Sequence, residues 1–171
     1  MSVINAGKVV AIVRDAGGRI VGRTRLQKIA YLLTVAGLES ELVFGYKHYG
    51  PFSEEVATAA RHASLLGRLS EMEQPASWGG TYSIFSVTDG IPDNVPQARR
   101  ELAAIANAAD AVELELAATA VFLSNEGYED AWAETARRKP EKAEGGRIDR
   151  AKLLLRQLRS VATPKPLPEL H

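Results

Sequence analysis

Residues 22–33 read GRTRLQKIAYLL, and the organisation of the whole fold follows from this segment. Leu26, Ile29 and Leu33 recur in it at helical spacing, and further apolar side chains lie beyond this stripe. A helix that is apolar over most of its circumference is buried on most of its sides. We therefore expect this helix at the centre of the fold, with Leu26, Ile29 and Leu33 in the core.

Two signals mark where this helix begins and what precedes it. Thr24 and Gln27 have the spacing of a capping box, which predicts Thr24 as the N-cap. Upstream, residues 3–15 carry apolar residues at helical spacing and are followed by Gly17-Gly18, where a left-handed residue can stop a helix. The N-terminal segment is thus predicted to contain two helices.

An aromatic segment follows the central helix. Residues 41–49 are rich in Val, Phe and Tyr, which favours an extended strand, and Gly50-Pro51 is expected to break it because proline cannot continue a ladder. Ser53 is the predicted N-cap of a third helix. Glu54 and Glu55 lie in its first turn, where the helix dipole favours negative charge.

The rest of the chain changes from a hairpin to helices. Residues 68–72 and 81–87 predict a β-hairpin, which after three helices would be the wing of a winged helix. The predicted fold is mainly α (α+β), with a winged-helix-like N-terminal half and a small β-hairpin wing over residues 1–90. An all-helical C-terminal layer follows over residues 91–162 in the same domain, 1–162. The Pro-rich tail, 163–171, is expected to be an extended, poorly ordered end, or at most a small docking peptide.

Composition excludes several classes of protein. The 171 residues are 46% hydrophobic and 25% charged, as in ordinary globular domains. The sequence has no cysteine, which excludes a disulfide framework, a thiolate zinc site and a thiol nucleophile. No apolar run is long enough to span a bilayer and the N-terminus lacks a signal-like pattern, so we predict a cytoplasmic protein without a membrane partner.

The formal net charge is zero, which argues against nonspecific nucleic-acid binding, but basic residues are concentrated near both ends of the chain. If the two basic segments meet, they form one positive face. The alternatives are ordinary solvated helix faces, or two separate basic patches that are each neutralised locally by carboxylates such as Glu134, Glu141 and Asp149. The residues expected on the positive face are Arg19, Arg23, Arg25, Lys28, Arg137, Arg138, Lys139 and Arg156.

The sequence offers no recognisable catalytic or metal site. His48, His62 and His171 lack the spacing of metal ligands, and the carboxylates show no calcium-loop pattern. There is no nucleophile elbow and no phosphate-binding loop. We therefore predict no enzyme activity, no metal and no cofactor.

Tyr46, Lys47, His48 and Tyr49 form the most suggestive cluster. Amphipathic aromatic residues beside a cation and an imidazole suit either protein hot spots or nucleic-acid contacts, and these four are the predicted partner-binding residues. Alternation along a strand would turn Phe44, Tyr46 and His48 to one face. Part of the cluster would then simply cover the core.

Arg23, Arg25, Lys28 and Arg61 are the candidate residues for the alternative function, a DNA-binding transcriptional regulator of the winged-helix type. Such a protein presents its third helix to the major groove. Here two carboxylates lie at the leading end of that helix and would repel phosphates. The positive charge needed for DNA binding would have to come from the four basic residues.

Two blocks of sequence carry a family resemblance: GRTRLQKIAYLL at residues 22–33 and FGYKHYGPFSEEV at residues 44–56. Together they resemble the bacterial YwgA-like family of uncharacterised proteins and, more distantly, the Panacea or SocA-type antitoxin domain. Later pieces, ELAATAVFL at 115–123 and RKP at 138–140, are similar to the C-terminal half of that family.

The resemblance implies a role in binding. Antitoxin-type relatives act by binding a toxin protein, or as part of a regulatory or degradation-targeting complex. The expected function is therefore a non-enzymatic protein-interaction or regulatory module with a protein partner, a toxin or a regulatory protein. DNA binding and a homodimer stay open, as do the identity of the partner and the biological process.

Overall fold

A computed structural model describes residues 3–47 and 49–171, with side chains from residue 5 onward. Those residues form an α+β fold of seven helices and two small antiparallel sheets. In chain order the elements are α1 (Val3–Asp15), β1 (Arg19–Val21), α2 (Arg23–Val35), β2 (Gly45–Lys47), β3 (Gly50–Phe52), α3 (Glu54–Leu65), β4 (Ser70–Pro75), β5 (Thr81–Ser86), α4 (Gln97–Ala108), α5 (Ala111–Asn125), α6 (Ala131–Arg138) and α7 (Arg147–Arg159).

Helix α2 lies at the centre, as its apolar circumference predicts. Leu26, Ile29 and Leu33 are all buried, which confirms them as core residues. The predicted capping box is wrong, because α2 begins at Arg23 after Gly22 and no side chain caps its first turn. Gln27 cannot serve that cap because its amide is bonded to the backbone of Ser53.

The hairpin β4–β5 is confirmed, and it belongs to a three-stranded antiparallel sheet of order β1-β5-β4. Strand β1 was not predicted. It has three residues, too few for an alternating pattern to be visible, yet it places Ile20 opposite Phe85 in the core. Strand β4 begins at Ser70 rather than Arg68 because the Arg68 amide donates to Ala63 O at the end of α3.

The second sheet corrects the prediction for residues 41–51. Strands β2 and β3 pair as a tight hairpin in which Tyr46 lies opposite Pro51, so Gly50-Pro51 falls inside a strand and the turn comes before it. Proline is tolerated because a two-stranded ribbon leaves it on an edge. Gly50, the first residue of β3 after this turn, has a left-handed backbone with φ +93°.

The C-terminal half forms the predicted helical layer. Its four helices are α4, α5, α6 and α7. Helix α5 is buried on most sides, and small residues such as Ala117 and Ala120 let α2, α6 and α7 pack closely against it. Buried residues of both halves belong to one hydrophobic cluster. No helix in the described part of the chain is long and apolar enough to cross a membrane.

The Pro-rich tail has no regular secondary structure, and it is docked against the domain, which favours the docking alternative over a poorly ordered end. Leu167 is buried, and its carbonyl accepts from Arg159 Nε at 3.0 Å. The Lys165 amide donates to Ala36 O at 3.0 Å. Leu167 supplies this apolar contact, which the high proline content of the tail did not predict.

Candidate functional site

The β2–β3 hairpin is anchored by a row of aromatic rings. The Phe44 ring centroid lies 5.2 Å from that of Tyr31 in an edge-to-face arrangement. The Phe122 centroid on α5 lies 6.0 Å from those of both Tyr31 and Tyr46. Edge-to-face and tilted ring pairs contribute beyond their buried area, so this row fixes the hairpin against α2 and α5.

Three tyrosines on this side of the molecule have a cation against the ring. The Arg138 guanidinium carbon lies 4.8 Å from the ring centroid of Tyr46 and 5.3 Å from that of Tyr128. Lys142 Nζ lies 4.8 Å from the centroid of Tyr49. All three rings are partly exposed to solvent: Tyr46 is 36% exposed, Tyr128 is 42% exposed and Tyr49 is 56% exposed. These five residues, Tyr46, Tyr49, Tyr128, Arg138 and Lys142, are named the tyrosine–cation surface.

Arg138 is held in place before any partner arrives. Its Nε donates to Glu134 at 2.7 Å, one turn back on α6, and its terminal nitrogen donates to the Tyr128 hydroxyl at 2.8 Å. The bond to Glu134 raises the pKa of Arg138. Bonds from Arg137 and Arg138 lower the pKa of Glu134 to about 2. The guanidinium is thus oriented and charged at any ordinary pH.

The four predicted partner-binding residues are only partly brought together. Tyr46 and Tyr49 belong to the tyrosine–cation surface. Lys47 points elsewhere, with Nζ 3.2 Å from a Glu54 carboxylate oxygen and 5.5 Å from the Phe52 ring centroid. His48 lies outside the described residues.

The sequence did not single out Tyr128 and Lys142, and it placed Arg138 in a positive face rather than beside tyrosines. Arg138 and Tyr46 are far apart in the chain, so no local pattern joins them. The available signal was the group of basic residues between 137 and 142, which begins in the last turn of the short helix α6.

A group of buried charges lies behind the hairpin. Glu115 on α5 is buried and accepts from Lys139 Nζ at 2.9 Å and Lys142 Nζ at 2.8 Å. Lys28 Nζ on α2 is also buried and donates to Pro51 O at 2.8 Å. Burial lowers the pKa of Lys28 to about 7; Glu115 opposes this shift and Lys139 and Lys142 add to it.

Thr119 is an uncharged neighbour of this group. It lies one turn after Glu115 on α5, and its buried hydroxyl has no hydrogen-bond partner among the described residues. A Cβ added to Gly50 would come within about 2.3 Å of that hydroxyl, so the hairpin backbone rests directly on Thr119. The position requires glycine both for its φ and for this close approach.

The four residues considered for DNA binding do not form one exposed set. Arg23 pairs with Glu71 at 2.9 Å and Glu73 at 3.7 Å. Arg25 donates to three backbone carbonyls at the end of α4, and burial lowers its pKa. Lys28 is buried.

Arg61 alone of these four is exposed on α3 without an ion pair within the described part of the chain. The single positive face is not assembled from these groups either. Arg137 and Arg138 both pair with Glu134, as the alternative of local neutralisation predicts. Lys28 does lie near Lys139, but both are buried.

Among the described residues, no group of three or more His, Asp or Glu side chains could hold a metal ion. No family model, curated protein or solved structure matches the chain.

Proposed function

We propose that this protein is a non-enzymatic protein-interaction or regulatory module of the antitoxin type, and that the tyrosine–cation surface binds its protein partner. The observation that carries the proposal is the set of exposed tyrosines with cations against their rings. Tyrosine and arginine are enriched at interface hot spots, where a large rigid side chain buries much area at a small entropic cost.

The preorganisation of the surface supports this proposal. Arg138 is fixed by Glu134 and by the Tyr128 hydroxyl, so little side-chain entropy is lost when a partner covers it. Tyr46 is held by Phe122 on one side and Arg138 on the other. A partner would therefore meet a surface already in its bound shape.

We also propose that the N-terminal half is a winged helix. The order α1, β1, α2, α3, β4, β5 and the sheet order β1-β5-β4 support this assignment, with β4–β5 as the wing. Such a fold serves protein binding as well as DNA binding, so fold alone does not decide the function.

The alternative, a DNA-binding regulator, has less support from the contacts. Three of its four basic residues are engaged or buried, which leaves Arg61 as the exposed, unpaired cation among them. Glu54 and Glu55 at the start of α3 also repel phosphates.

Co-expression with the products of the neighbouring reading frames tests the proposal. The tagged chain is purified, and its complex is compared for the parent, Tyr49→Ala and Arg138→Gln. We expect one defined complex. Each variant should bind its partner at least about tenfold more weakly than the parent does, which corresponds to the loss of one hot-spot contact. Tyr82→Ala, an exposed tyrosine on β5, is the matched control and should keep parent affinity.

Two results would contradict the proposal. One is a complex that Tyr82→Ala weakens and the two surface variants do not. The other is binding to DNA whose log affinity falls linearly with log salt, since phosphate contacts release counterions. A protein interface with an aromatic core changes little with salt.

A further inference from the structure

A cavity of about 290 Å³ lies beside the buried Lys28, between α2, α3, the β2–β3 hairpin and the β4–β5 hairpin. Its volume is near the lower end of the range of small-molecule sites, roughly 300–1,000 Å³. It lies outside the tyrosine–cation surface except for Tyr49, which borders both.

The walls of the cavity are largely apolar. Phe52 from β3 and Phe85 from β5 contribute aromatic rings, and Leu26 contributes an aliphatic side chain from α2. The half-buried Ala57 and the buried Ala60, both on α3, leave the space open because their side chains are small. An apolar body, such as a ring system, is the ligand component that such walls favour.

The charges that line the cavity do not cancel. Arg23 is matched by Glu71, which also lines the cavity, and by Glu73. Arg61 has no carboxylate within ion-pair distance among the residues that the structure describes.

Lys28 does not add an accessible charge to the lining. Burial lowers its pKa to about 7, the residue is 1% exposed, and its Nζ donates to Pro51 O. Arg61 is therefore the unmatched basic group of the lining among the described residues. It lies in a partly enclosed site, where a charge-assisted hydrogen bond is stronger than in water.

We propose that this cavity binds a small amphipathic anion, with an apolar ring against Phe52 and Phe85 and its carboxylate, sulfonate or phosphate group at Arg61. The ligand matches the two properties of the site, apolar walls and an uncompensated positive charge. This binding site is independent of the proposed protein partner.

A matched pair of fluorescent probes tests the proposal on the full chain. One is 8-anilinonaphthalene-1-sulfonate and the other is N-phenyl-1-naphthylamine, which has the same rings without the sulfonate. We expect saturable binding of one sulfonate probe per chain, with the neutral probe about tenfold weaker because it lacks the charge-assisted contact.

Three variants locate the site. Arg61→Gln should bring the affinity for the sulfonate probe close to that of the neutral probe, whereas Arg100→Gln, an exposed arginine on α4, should leave both unchanged. Ala57→Leu should weaken both probes about tenfold or more by filling the cavity, and thermal unfolding of this variant verifies that it is folded.

Any of three results overturns the proposal. The first is equal affinity of the parent protein for the two probes. The second is an equal effect, or none, of Arg61→Gln and Arg100→Gln. The third is unchanged probe binding in a folded Ala57→Leu protein, since the probes would then lie elsewhere.

Discussion

The side-chain amide of Gln27 pairs with the backbone of Ser53 in the manner of a neighbouring strand. Gln27 Oε1 accepts from the Ser53 amide at 2.8 Å, and Gln27 Nε2 donates to Ser53 O at 3.0 Å, both in the buried interior. This pair of hydrogen bonds joins α2 to the start of α3 and fixes the position of the β2–β3 hairpin between them.

Replacing Gln27 with methionine should destabilise the protein by about 1–3 kcal/mol, because it leaves the buried Ser53 amide without an acceptor, whereas Ser53 O keeps its bond from the Ala57 amide. Urea unfolding measures this loss. Gln157→Met, at an exposed position on α7, is the control and should stay within about 0.5 kcal/mol of the parent. Equal effects of the two changes would show that the Gln27–Ser53 pair contributes nothing.

Ser53 also caps α3 through its hydroxyl, which accepts from the Val56 amide at 3.2 Å, as the sequence predicted. Ser53→Ala should therefore cost about 1 kcal/mol. Ser64→Ala, later in the same helix, should have almost no effect. If Ser53→Ala left the unfolding midpoint unchanged but abolished partner binding, Ser53 would be a contact residue instead of a cap.

Leu33 tests the central position of α2. It is fully buried, so Leu33→Ala should cost about 2–5 kcal/mol from lost apolar burial and the cavity left behind. Leu153→Ala on α7 removes the same atoms from a side chain that is 57% exposed and should cost far less. Similar unfolding midpoints for the two variants would contradict the assignment of α2 to the core.

Structural features that depend on neighbouring residues could be predicted from the sequence, whereas contacts between distant residues could not. The spacing of Leu26, Ile29 and Leu33 is written in one helix, and so is the cap at Ser53. Three contacts join distant parts of the chain. Strand β1 pairs with β5, Arg138 stacks on Tyr46, and Gln27 is hydrogen-bonded to the backbone of Ser53. Their partners were not visible in any single window of sequence.

Lys28 predicts a dependence of stability on pH. Its pKa is about 7 in the folded protein and near 10.5 when unfolded. Between these values the unfolded chain binds more protons, so this group makes stability rise with pH, by up to about 1.4 kcal/mol per pH unit. Below pH 7 the group is protonated in both states and the slope disappears.

Lys28→Met isolates this contribution, because Glu115, Lys139 and Lys142 remain in place. Urea unfolding between pH 6 and 9.5 should show the parent gaining stability relative to the variant as the pH rises. Parallel pH profiles for the two proteins would mean that Lys28 titrates alike in both states.

Gly50 supports the hairpin by having no side chain. Gly50→Ala should cost at least about 1–2 kcal/mol, because alanine disfavours a φ of +93° and its Cβ would strike the Thr119 hydroxyl. Gly45→Ala, in the same hairpin without positive φ or a close neighbour, is the control. Adding Thr119→Ala should restore part of the loss, and a strictly additive double variant would exclude the steric contact.

The bond between the Lys165 amide and the Ala36 carbonyl has a consequence for the order of folding. It joins two points separated by most of the chain, with five helices and four strands between them. At equilibrium the entropy of closing so long a loop grows only slowly with its length, but contacts of high sequence separation form late. We therefore expect Leu167 to reach its buried position only after the helices have assembled. Until then, the apolar surface that it covers would be exposed to solvent, and aggregation or chaperone binding would be expected there first.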